Sequence, residues 1–127
     1  MEGSCHCGEV RWRIEGVPEA ATACDCSICR RYGALWAYGY EAETITVSGA
    51  TQVYVWGRRW LEFHFCPACA CIAYWRGTGT GGDGRRRMGV NLRLAAPDAV
   101  SAIPLVRHDT ETMDDLPSDG RCVADVW

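Results

Sequence analysis

Eight of the nine cysteines in this chain of 127 residues fall into three short runs, and that clustering constrains the fold more than any other feature. The runs are Cys5-His6-Cys7, Cys24-Asp25-Cys26-Ser27-Ile28-Cys29 and Cys66-Pro67-Ala68-Cys69-Ala70-Cys71. Thiols at this density serve as disulfides or as metal ligands. The start Met1-Glu2-Gly3-Ser4 lacks the basic and apolar regions of a secretory leader. No stretch reaches the roughly 18 apolar residues of a membrane span. The expectation is therefore a reducing, cytoplasmic compartment, where disulfides are rare and clustered thiols bind metal. Cys122 stands apart from the runs and reads as a plain thiol.

Zinc takes four tetrahedral ligands, often thiolates from two tight turns. Cys66-Pro67-Ala68-Cys69 has the spacing of one such turn. Cys5 and Cys7 supply a complementary pair, placed on one side of an extended segment by strand alternation. The four make a closed site whose expected role is structural, because its binding energy is folding energy. Cys24, Cys26 and Cys29 bring three thiolates within six residues. Two readings satisfy the ligand count. In one, the fourth position is open to water or substrate, as in catalytic zinc. In the other, Cys71 closes the site. Either way the expectation is two zinc ions per chain. His6 is a possible substitute ligand in the first run, whereas His64 and His108 read as ordinary core or surface residues.

Short alternating runs dominate the rest. Val10, Trp12 and Ile14 alternate with charged residues, as a half-buried strand requires. Thr44 to Ser48, Gln52 to Trp56, Trp60 to Phe65, Ala34 to Tyr40, Ile72 to Arg76, Met88 to Leu94 and Ile103 to Arg107 are further strand candidates. Only Ala95 to Ser101 suggests a helical turn. These features predict one all-β domain over residues 1–127, built of packed antiparallel sheets. The glycine-rich Gly77 to Arg87 segment lacks the strand–loop–helix setting of a nucleotide loop and reads as a hairpin connection. The tail from Asp109 onward reads as a solvated face. A net charge of -3 argues against a general nucleic-acid binder. With every basic residue an arginine, lysine Schiff-base chemistry is excluded.

Taken together, Gly3-Ser4-Cys5-His6-Cys7-Gly8-Glu9-Val10, Cys24-Asp25-Cys26-Ser27-Ile28-Cys29-Arg30-Arg31, His64-Phe65-Cys66-Pro67-Ala68-Cys69 and Val90-Asn91-Leu92-Arg93 resemble the glutathione-dependent formaldehyde-activating enzyme family. That family also contains the centromere protein V type. The resemblance implies a β-tent of sheets stapled by zinc. It implies that Cys5, Cys7, Cys66 and Cys69 hold a structural zinc, and that Cys24, Cys26 and Cys29 hold a catalytic zinc with an open position. The implied activity is that of a carbon–sulfur lyase or synthase joining glutathione, a small thiol, to formaldehyde, an aldehyde. In that chemistry Arg30 and Arg31 are candidates to pair with substrate carboxylates, ahead of Arg58 and Arg59. Trp36 and Tyr38 are candidates to wall the pocket. The chain departs from the family at Ala70, where glycine is usual, and at the added thiol of Cys71. It is also shorter than the glutathione-handling members. The competing expectation is a non-catalytic binding module in which both metals only hold the fold.

Overall fold

The computed structural model describes residues 1–126. Alternation builds its strands: in β2 (Arg11–Ile14) Trp12 and Ile14 are buried while Arg11 and Arg13 are exposed. β2 pairs with β1 (Glu2–Ser4) on one side and β5 (Ile45–Ser48) on the other, giving a small three-stranded sheet. Eight further strands form the large sheet. In chain order they are β3 (Ala21–Cys24), β4 (Trp36–Tyr40), β6 (Gln52–Val55), β7 (Leu61–Phe65), β8 (Ile72–Gly77), β9 (Arg87–Asn91), β10 (Leu105–Asp109) and β11 (Asp114–Leu116). In space they run β11-β10-β3-β4-β9-β8-β7-β6.

The fold is all-β, with two packed sheets, as expected. One pairing corrects the expectation of purely antiparallel sheets, since β10 lies parallel to β3. Parallel neighbours need a crossover. Here the chain returns through a 3-10 turn (Leu92–Leu94) and a single helical turn, α2 (Pro97–Val100), which bury Leu92 and Val100. Three strands lay outside the expectation. β1 and β11 have three residues each, too few for alternation to register, and β3 reads Ala21-Thr22-Ala23-Cys24, without a large apolar residue to mark a face. The strand anticipated to Leu94 ends at Asn91, whose side chain accepts from the Arg93 amide and turns the backbone.

The large sheet has two different faces. Its inner face carries Ala37, Tyr74, Met88 and Val90, which pack against Trp12, Ile14 and Ile45 of the small sheet as the main core. Its outer face carries a second cluster of Trp36, Phe63, Ile72 and Trp75 together with Cys29. Strict alternation would put Ile72 on the inner face with Tyr74. The register of β7 and β8 shifts between His64 and Phe65, so that Phe65 pairs with Ile72 and His64 with Tyr74. That bulge turns Ile72 outward and leaves Ala73 and Tyr74 in the main core. Gly89 lies between Trp75 and Tyr38 in the register. A Cβ there would fall 2.4 Å from the Trp75 indole nitrogen, so the indole lies across the sheet only because residue 89 has no side chain.

Candidate active site

The first and third cysteine runs meet at one end of the molecule. The Sγ atoms of Cys5, Cys7, Cys66 and Cys69 all lie within 4.8 Å of one another. Cys7 Sγ is 3.5 Å from both Cys5 Sγ and Cys66 Sγ. Disulfide sulfurs stand about 2.05 Å apart. Four thiolates at about 2.3 Å from one zinc stand about 3.8 Å apart, so the donor set fits a tetrahedral zinc. The Cys5–Cys7 pair is not presented by an extended segment as expected. Residues 5–8 form a turn closed by the Gly8 amide on the Cys5 carbonyl at 2.9 Å. A matching turn closes Cys66–Ala70, with the Ala70 amide on the Cys66 carbonyl at 2.9 Å. Backbone amides also point at sulfur: the Val10 N–H donates to Cys5 Sγ at 3.3 Å. Amide donation from Cys7 and Cys71 lowers the Cys69 thiol to about 5, as a ligand thiolate needs.

Ala70 sits in that turn with φ of 60°. A left-handed backbone favours glycine, which accounts physically for the glycine that the resemblance led one to expect here.

The second run forms its own cluster at the outer face. Cys24 ends β3, Cys26 lies in the following loop, and Cys29 opens α1 (Cys29–Tyr32). Their sulfurs lie within 4.8 Å of one another. Among the described residues no other His, Cys, Asp or Glu joins that group. Cys71, the alternative fourth ligand, is placed elsewhere. Its sulfur interacts with the His6 backbone and with Cys69, beside the four-cysteine cluster.

Neighbouring groups hold the triad in place. The Cys29 amide donates to Cys26 Sγ at 3.4 Å, and Trp36 Nε1 donates to Cys29 Sγ at 3.3 Å. Asp25 Oδ1 accepts from the Thr110 amide at 3.0 Å and its hydroxyl at 2.6 Å, tying the loop to the β10–β11 turn. The Cys29 thiol donates to the Cys24 sulfur and pulls Cys24 down to about 6. Cys29, which gives that bond and is buried, is pushed far up. Three thiols with no fourth donor fit a zinc that keeps one position free.

The remaining candidates separate. Trp36 lies in the outer cluster against Phe63, with ring centroids 6.3 Å apart, and touches the triad through its indole N–H. Tyr38 lies one same-face step further along β4, 5.7 Å from Trp75. Arg30 and Arg31 are exposed, and Arg31 is turned back onto the Ser27 carbonyl at 2.7 Å. His64 is a core residue, bonded to Thr51 at 2.8 Å and stacked on Tyr74. His6 is exposed and takes no part in the cluster, while His108 pairs with Asp115 at 2.9 Å. Sequence reasoning did not single out Trp75 or Arg87, of which Trp75 joins the buried cluster that holds Cys29. Only the register of β4, β9 and β8 brings them to the face that carries the triad.

Residues 1–98 match the sequence model of a family described as glutathione-dependent formaldehyde-activating enzyme. A Halomonas elongata protein carrying the same family name is 40% identical over 81 residues, which cover 55% of this chain and 52% of that protein. The chain thus spans about half the length of that relative. The crystal structure of a Rhodobacter sphaeroides protein superposes with a TM-score of 0.63 at 29% identity, covering 83% of this chain and 99% of that one. With the family model matching 98 of its 127 residues, the chain belongs to the glutathione-dependent formaldehyde-activating enzyme family.

Proposed function

We propose that this protein is a zinc-dependent carbon–sulfur lyase or synthase that joins a small thiol to an aldehyde, with S-(hydroxymethyl)glutathione formation as the leading reaction. The observation that carries the reading is the open donor set of Cys24, Cys26 and Cys29, three sulfurs with no fourth ligating side chain among the described residues. Cys5, Cys7, Cys66 and Cys69 hold the structural zinc in this reading, and the domain spans residues 1–127. A zinc held by the triad would supply a position at which a substrate sulfur is stabilised as thiolate.

The addition itself is simple in balance. A sulfur–carbon bond forms, the carbonyl double bond opens, and the proton lost by the thiol ends on the new hydroxyl oxygen. Nothing is oxidised or reduced. The protein's own groups position the reactants. Trp36 steadies Cys29 through its N–H. The outer-face rings of Trp36, Phe63 and Trp75 keep water from one side of the site. Arg30 and Arg31 flank the triad loop and add positive potential for an anionic thiol. No membrane-crossing helix is found among the described residues, and the substrates in this reading are small molecules.

Cobalt substitution tests it. Cobalt bound by thiolates absorbs through sulfur charge transfer, so adding glutathione to the cobalt-loaded protein should strengthen that absorption as a fourth sulfur binds. Formaldehyde consumption in the presence of glutathione should then depend on the triad. A spectrum indifferent to every small thiol, with no such activity, would leave the non-catalytic binding module in place of the enzyme.

A further inference from the structure

The large sheet ends on two unlike edges. One is β11, where Asp114 and Asp115 put charge along the unpaired side of the strand. The other is β6, which pairs with β7 and, among the described residues, with no further strand. A row of backbone N–H and C=O groups on its outward side is therefore left for another strand to meet. Charged residues and proline are the usual guards of such an edge. The segment from Ala50 to Gly57, which contains β6, has neither. The chain guards one edge of its large sheet and leaves the other bare.

β6 is also apolar on both faces. Tyr54 lies opposite Phe63 and shares the outer face with it. Val53 lies opposite His64, which stacks on Tyr74 of the main core, so Val53 belongs to the inner face. Val53 is 46% exposed, Tyr54 45% and Trp56 40%. A strand that borders water on one face alternates apolar with polar residues, whereas a strand covered on both faces reads as a continuous apolar run. Val53, Tyr54, Val55 and Trp56 are such a run. The sequence of β6 is that of an interior strand, and its place in the single chain is an edge.

We propose that β6 is the interface for a second copy of this chain, joined by antiparallel pairing of β6 with β6 about a two-fold axis. Residues directly opposite each other share a face, so an axis perpendicular to the sheet must pass through a residue paired with itself. With Tyr54 on the axis, Val53 faces Val55 of the second copy on the inner side, and Gln52 faces Trp56 on the outer side. Aromatic and β-branched cross-strand pairs of this kind stabilise sheets. Arg58 then falls opposite Ala50, so like charges do not meet. The other edge is a poorer match. Setting β6 against β11 would press Asp114 and Asp115 onto an apolar strand that offers them no charge partner, and such head-to-tail joining does not close. Two-fold pairing covers roughly 500 Å² on each copy, about 1,000 Å² in all, which is the lower limit of a specific interface. The dimer is accordingly a weak one, with a Kd on the order of micromolar. Its two outer faces lie on the same side of the joined sheet, so both cysteine triads are carried on one side of the dimer.

Sedimentation of the zinc-loaded full chain from about 1 to about 200 μM, a range that brackets such an affinity, tests the proposal. The mass should rise from one chain to two and stop there. Val53→Lys puts a charge on the edge. It should weaken the dimer roughly a hundredfold, since lost burial costs about tenfold per chain and the axis counts it twice. Tyr54→Lys sets like charges against each other on the axis and should weaken it at least as much. Asp114→Lys, on the opposite edge, should leave the dimer as it is. Two bound zinc ions and parental thermal unfolding at the dilute end show which variants are folded. Hydrogen exchange locates the contact. Amides of residues 52–56 should exchange more slowly at the concentrated end than at the dilute end, and the lysine variants should lose that difference. A single-chain mass throughout the range overturns the proposal. So does a dimer whose 52–56 amides exchange equally fast at both ends, because its contact then lies elsewhere. A mass that grows past two chains and is reduced by Asp114→Lys means head-to-tail joining, and a second polypeptide found on β6 means a different occupant. Either result overturns the second copy.

Discussion

Cys7 and Cys66 are 59 residues apart in sequence, yet their sulfurs stand 3.5 Å apart. A metal between them closes a long loop and joins the turn after β1 to the turn after β7. The triad is different, because Cys24, Cys26 and Cys29 are local and close only a short loop. Losing a ligand should therefore have unequal consequences. Cys66→Ala should unfold the chain or lower its stability by several kcal/mol, since structural zinc binding is coupled to folding. Cys26→Ala should keep the fold while zinc content falls from two ions to one. Elemental analysis and thermal unfolding of both variants check this, and equal destabilisation would make both sites structural.

Cys71 lies against Cys69 and not against the triad. It contributes to the third run's turn through its backbone, whose carbonyl accepts from the Cys66 amide at 3.0 Å and whose amide donates to the Cys69 sulfur. Cys71→Ser keeps both backbone contacts and a small polar side chain. It should leave two zinc ions bound, change stability by less than about 1 kcal/mol, and leave the cobalt charge-transfer spectrum of the triad as it was. A drop in that absorption would place Cys71 among the triad's ligands and close the site.

These two sites were legible in the sequence to different depths. Ligand spacing alone grouped Cys5, Cys7, Cys66 and Cys69, because a closed thiolate site has a strict ligand count. Spacing left the role of Cys71 open, since a residue two positions from Cys69 can point either way. Strands with clean alternation, such as Arg11–Ile14 and Leu61–Phe65, were legible too. Ile72 was not, because a bulge reverses its face and no local residue pattern announces one. The parallel placement of β10, and the row that joins Tyr38, Gly89 and Trp75, come from pairing between distant segments. A single sequence carries no direct signal of such pairing.

The turn that carries Cys66 and Cys69 places Ala70 at φ 60°. A Cβ in the left-handed region costs about 1–2 kcal/mol. Replacing Ala70 with glycine removes that cost but enlarges the freedom of the unfolded chain, which offsets about 0.4–1 kcal/mol. The net expectation for Ala70→Gly is a gain of about 0.5–1 kcal/mol, with both zinc ions retained. Chemical denaturation of the zinc-loaded protein measures it. No gain, or a loss, would mean that the turn is not strained at this position.

The inner face also holds one charged network away from both clusters. Glu62 accepts from Arg76 Nε at 2.8 Å, and Arg76 reaches Glu41 at 3.2 Å. His64 Nε2 lies 3.4 Å from the same Glu62 carboxylate. Arg76 holds the Glu62 carboxyl below its ordinary value of 4.5, since its guanidinium favours the ionised form. The sign follows from that direction. Above pH 4.5 Glu62 is ionised in both the folded and the unfolded chain, and the pair contributes in full. As the pH falls below 4.5 the unfolded chain takes up the proton first, and the contribution is lost as the pH drops through the folded value. Both partners are about 30% exposed, so the contribution is about 0.5–1 kcal/mol. Glu62→Gln should accordingly unfold a few degrees below the parent at pH 7, by the same margin at pH 5.5. The margin should shrink towards zero as the pH falls below 4.5. Comparing parent with variant at each pH cancels the acid loss of zinc common to both. A margin that stays constant down to pH 3.5 would mean that Glu62 is not held ionised by Arg76.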